Sequence, residues 1–133
     1  MKRRVVLFRV TGAVLGLQLL LGGLLTFGFI SPEAHIVTGF ALFFLAIGNM
    51  AVWLTSKPPF RPMRMLTVVI VLLIVLQIIL GFVTLDSGSQ LVAFIHFANA
   101  LAIFGAMLSG TFMVMRWEGM ARGAKTHDAG MAG

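Results

Sequence analysis

The chain contains no cysteine, which excludes disulfides, iron–sulfur clusters and any cofactor ligated or tethered through cysteine. Charge is scarce too: 11% of the 133 residues are charged against 59% hydrophobic, with a mean hydropathy of +1.04. A water-soluble domain of this size cannot hide so much apolar surface, so lipid is the solvent. Acidic residues number only four. None is placed to complete a zinc site, which needs at least three protein ligands and an approach for water.

What is present is four apolar runs, near residues 10–30, 35–54, 65–85 and 90–115, each about the 20 residues that cross a bilayer core. The fold class expected is an all-α membrane protein, a four-transmembrane-helix bundle. Residues 1–117 form one membrane domain, and the small, Gly-rich stretch 118–133 is expected to be a disordered cytoplasmic tail. The opening MKRRVVLFRV imitates a signal peptide. Its apolar run is about twice the usual length and lacks a small-residue cleavage site, so a retained first helix is expected.

The net charge of +6 follows a pattern. Lys2, Arg3, Arg4 and Arg9 open the first helix. Lys57, Arg61 and Arg64 fill the second link, and Arg116, Arg122 and Lys125 follow the fourth helix. All ten cations then lie on one side, which the positive-inside rule makes the cytoplasm. Both termini are expected inside an inner (cytoplasmic) membrane, with Trp53 and Trp117 marking that interface. The charge reports topology, and no nucleic-acid partner is implied. On the outer side, Ser31-Pro32-Glu33 reads as a helix start. Ser87-Gly88-Ser89-Gln90 fits a capping box.

The runs repeat. Gln18-Leu19-Leu20-Leu21-Gly22 matches Gln77-Ile78-Ile79-Leu80-Gly81, and the two glutamines precede His35 and His96 by 17 and 19 residues. Gly39 and Ala100 follow the histidines at i+4, Phe43 and Phe104 at i+8. The bundle is therefore expected to consist of two parallel helix-pair repeats about an axis along the membrane normal.

His35 and His96 are the only histidines in the spans. Ionisable groups in membrane helices are costly and default to a functional reading. At similar depth near the outer leaflet, the pair is expected to face across the bundle core. Two imidazoles so placed suit one haem b, with a histidine on each face of the iron. Gly22, Gly39, Gly81, Ala93 and Ala100 would leave room for the flat ring, and Phe43, Phe97 and Phe104 would line it. The bland reading is that each histidine is an interfacial or hydrogen-bonded residue without a ligand. Gln18 and Gln77 read as hydrogen-bonding glue between the repeats.

Gln77-Ile78-Ile79-Leu80-Gly81, Thr84, an outer turn and His96-Phe97-Ala98-Asn99-Ala100 resemble a half-unit of the haem A synthase family. The resemblance covers the four helices and is clearest over 76–104. Full-length members are similar to two fused four-helix bundles, and compact members have one. The resemblance implies that His35 and His96 are axial haem ligands. It also implies oxidation of the methyl group of haem O, as substrate, to the formyl group of haem A. Around the second helix the chain departs from the family's E-x-x-E-x-x-H-R pattern. It has Glu33 as its one acid there and Ile36 where the arginine belongs. Glu33 is the candidate catalytic residue, weighed against an acid that merely stabilises a helix N-terminus.

Three readings stand at this level. One is a compact haem A synthase-like enzyme. Another is a non-enzymatic cytochrome b, as electron carrier or as a haem-holding subunit or assembly factor of a respiratory complex. The third is a cofactor-free helical subunit. Partners beyond the lipid bilayer, whether a second copy in a homodimer or respiratory-complex subunits, are left open.

Overall fold

The computed structural model describes residues 2–57 and 59–131, with side chains described for 3–57, 59–117 and 119. It is all-helical among the described residues: α1 (Lys2–Thr26), α2 (Pro32–Leu54), α3 (Arg61–Ser87) and α4 (Gln90–Met131). Each contains a stretch long and apolar enough to cross a membrane. The shortest helix, α2, has 23 residues, about 35 Å at 1.5 Å per residue, against a hydrocarbon core of about 30 Å. The protein is a four-helix membrane bundle.

Local chemistry sets the helix ends. The first helix stops at Thr26, four residues short of the expected limit. There Gly28 takes φ +74°, and its N–H reaches Leu25 O at 3.0 Å while Phe29 N–H reaches Leu24 O at 2.9 Å. That pair of bonds is a Schellman cap, which needs a left-handed residue. Ser31 is the N-cap of α2 with Pro32 in its first turn, as expected. The capping box at Ser87 does not form. Ser87 is the last residue of α3, which Gly88 closes at φ +61° by bonding Thr84 O at 3.0 Å. Ser89 takes the capping role instead, its Oγ accepting from Val92 N–H at 3.5 Å.

Two other boundaries differ. Pro62 is tolerated in the first turn of α3, so that helix starts at Arg61. The backbone of α4 continues to Met131 through the stretch expected to be a disordered tail. No proline interrupts it, and Met120, Ala121, Arg122, Ala124 and Lys125 are good helix formers. The side chains of Lys2, Arg122 and Lys125 lie outside the described residues.

In cross-section the helices run in the order α1, α2, α3, α4, with α1 packed most thinly on α4. Thus α2 and α4, the histidine helices, are diagonal partners. The core is built by Val5, Phe8, Leu42, Ala46, Trp53, Met63, Ile70, Ile103, Met107 and Val114, among others. Most of these lie toward the end that holds Lys2 and the α2–α3 link. Phe60 and Trp117 stack there with ring centres 5.7 Å apart, and Trp53 meets Trp117 edge-on at 5.8 Å. Trp53 is wholly buried in the bundle, so at that end it serves as a core residue. Arg64 donates to Trp53 O and Ser56 O at 3.2 and 2.9 Å, satisfying orphan carbonyls at the end of α2. Outward-facing Phe44, Leu72 and Phe94 are exposed, as a lipid-facing surface requires.

Candidate histidine site

The site follows from the repeat. A helix carries its glutamine one turn before a glycine, and the next helix returns with its histidine against both. In the first hairpin, Gln18 Nε2 lies 3.2 Å from His35 Nε2 and donates to His35 O at 3.0 Å. In the second, Gln77 Nε2 lies 3.1 Å from His96 Nε2. A Cβ added to Gly22 would stand 3.1 Å from His35 Cε1, and one added to Gly81 would stand 3.2 Å from His96 Cε1. Gly39 plays a related part, since a Cβ there would come within 3.0 Å of Gln18 Nε2. These three glycines are needed for close approach, whereas their backbone is ordinary helix.

The network settles the amide orientations. Asn99 Nδ2 donates to Gln77 Oε1 at 2.6 Å and to Leu73 O at 2.9 Å. The carbonyl of Gln77 is thereby committed, so its NH₂ end faces the imidazole. Gln18 is oriented likewise by its donation to the His35 carbonyl. Each His Nε2 then accepts a hydrogen bond, which puts the proton of a neutral ring on Nδ1. Both Nδ1 atoms are buried and have no hydrogen-bond partner among the described residues.

The two rings stand 6.4 Å apart, centre to centre, with planes at 65°. Metal–imidazole bonds of about 2 Å on both sides of one ion would separate ring centres by roughly 6 Å. The spacing therefore suits one shared atom between the rings. Their rotation is another matter. The expectation was that the imidazoles point at each other across the core. Instead each presents Nε2, Cε1 and Nδ1 to the first helix of its own hairpin. The glutamines likewise act within each repeat, so the expected glue between repeats is absent here. What they hold is the histidines, a role missed in the sequence although Gln and His stood in register in both halves.

Packing around the pair is loose. Among the described residues, none from 16 to 41 or from 75 to 98 is buried. Ala93 is half-buried one turn before His96, and Ala100 is buried one turn after it. Phe43 is half-buried and packs against the core. Phe97 and Phe104 are 58% and 38% exposed. Phe97 therefore turns outward, because it is the immediate neighbour of His96 and lies about 100° around the helix from it. Glu33 is exposed in the first turn of α2. Lying two residues before His35, it emerges on a different side of the helix. Among the described residues, no group of three or more His, Cys, Asp or Glu could hold a metal ion.

Comparison with known proteins adds no assignment: no family model, curated protein or solved structure matches the chain.

Proposed function

We propose that the chain is a membrane-bound b-type cytochrome that holds one haem between His35 and His96. The observation that carries this reading is the pair of matching Gln–Gly–His units, whose imidazoles lie on diagonal helices with ring centres 6.4 Å apart, in the loosely packed half of the bundle. A haem held by two imidazoles would need small residues beside it and helices that are not locked together. His35 and His96 would hold it, while Gly22, Gly39 and Gly81 leave room for the two imidazoles and the Gln18 amide. Bound haem supplies one-electron chemistry. The chain's own part is to hold the histidines and keep water away with lipid-facing apolar walls.

Were both imidazoles to hold the iron, electron transfer or haem holding for a respiratory complex would fit better than oxygen activation. The second reading, a haem A synthase-like enzyme acting on haem O, is favoured by the QIILG and HFANA segments. Glu33 would have to serve it from an exposed position. Under either reading the cation-rich end lies in the cytoplasm, by the positive-inside rule, and the histidines sit near the outer leaflet.

The test is a pyridine-haemochrome spectrum of the protein purified after expression with ample haem. One b-type haem per chain with a low-spin spectrum is expected, and absence of a Soret band overturns both haem readings. Co-expression with a haem O source yields haem A only if the enzymatic reading holds.

A further inference from the structure

We infer that Gln18 and Gln77 are latches, holding the two imidazoles against their own hairpins until a ligand atom takes the same ring nitrogen. The inference rests on the haem reading for the identity of that ligand, but its geometry stands alone. Gln77 is itself fixed, because Asn99 commits its carbonyl. Gln18 is fixed by its bond to the His35 carbonyl and by the absence of a side chain on Gly39. Each ring, by contrast, is held through one nitrogen only, since Nδ1 is orphaned in both. A ring secured by one hydrogen bond in loosely packed surroundings is readily turned.

Competition follows directly. The lone pair of Nε2 that accepts the glutamine N–H is the lone pair a metal would use, so the two bonds exclude one another. The glutamines thus stabilise the cofactor-free protein against its holo form. Because the two latches are separate, each ring can be released independently of the other.

Two measurements test this, the first without any cofactor. In ¹⁵N-histidine NMR of the cofactor-free protein in detergent, both span histidines are expected neutral with the proton on Nδ1. Gln77→Met, which keeps the length and removes the amide, is expected to give His96 a mixture of tautomers while His35 stays unchanged and reports an intact fold. Gln18→Met does the reverse. A proton on Nε2 in the wild type, or no change in either variant, overturns the proposal. If a Met variant does not fold, Asn99→Ala replaces it: freeing the Gln77 carbonyl must disturb the His96 tautomer, and an unaltered signal overturns the latch.

The second measurement is haemin titration, where each Gln→Met variant is expected to bind roughly threefold to tenfold tighter than wild type. Equal or weaker binding means that the glutamines orient the ligands instead, and the latch is wrong. If neither wild type nor variants bind haemin, the haem reading fails, while the NMR result still decides the latch.

Discussion

Toward the chain termini the bundle packs like a protein interior: Phe8, Trp53, Met63 and Ile103 are buried almost completely. Gly110 lies so close to its neighbours that an added Cβ would meet Phe8 Cζ and Leu66 Cδ2 within 3 Å. Toward the opposite end, no described residue from 16 to 41 or from 75 to 98 is buried. Polar contacts take over there: two glutamines, two histidines and Asn99. The contrast separates two jobs within 133 residues. One half holds the helices together by close packing, and the other is free to hold something between them. Even the polar pairs differ. Asn49 donates to Leu7 O and Thr11 Oγ1 across α1 and α2 inside the packed half and serves only the structure. Asn99 reaches a glutamine that reaches a histidine.

Substitutions can break this division. The largest effect is expected from His35→Ala and His96→Ala. Each should abolish low-spin haem binding, read from the Soret and α bands, while helix content by circular dichroism stays at the wild-type level. A low-spin spectrum surviving in both variants removes the ligand assignment.

Gly110→Ala should act on the other half alone. Forcing a methyl against Phe8 and Leu66 is expected to cost about 1–3 kcal/mol, seen as a lower thermal midpoint in detergent. Haem ligation per folded chain should be untouched. Asn49→Ala comes next, at about 1 kcal/mol of stability with no spectral change, because its bonds lie within the packed end. Smallest in stability are Gly22→Ala and Gly81→Ala, within about 0.5–1 kcal/mol of wild type. Their methyls meet a movable imidazole edge at 3.1 and 3.2 Å, so the haem spectrum should shift although the fold does not. If these two variants destabilise as much as Gly110→Ala, the loosely packed half is a core after all and the division fails.

Much of this architecture was legible beforehand. Four spans follow from apolar run length, because a bilayer asks only for about 20 apolar residues in a helix. The parallel repeat was readable because Gln, Gly and His recur in register, and polar residues in such a background cannot match cheaply. Helix ends were less legible. Gly28 and Gly88 end helices by adopting positive φ, and glycine is too frequent here, at 15 residues, for composition to say which ones do so.

Composition and the order of polar residues by themselves determined a four-helix membrane bundle with a histidine pair on its second and fourth helices. Solvent drives that much: apolar runs must be helical in lipid, where every backbone donor needs a partner within its own segment. Only the tertiary structure decided that the glutamines hold the histidines, that Phe97 faces outward, that Trp53 is buried, and that one half of the bundle packs tightly while the other does not. Those outcomes depend on how each helix is rotated and how closely it approaches its neighbours. Rotation is set by contacts between segments, as where Gly22 and Gly81 admit an imidazole edge and Gly110 admits a phenyl ring. In a surface that is apolar on every side, no periodicity announces it.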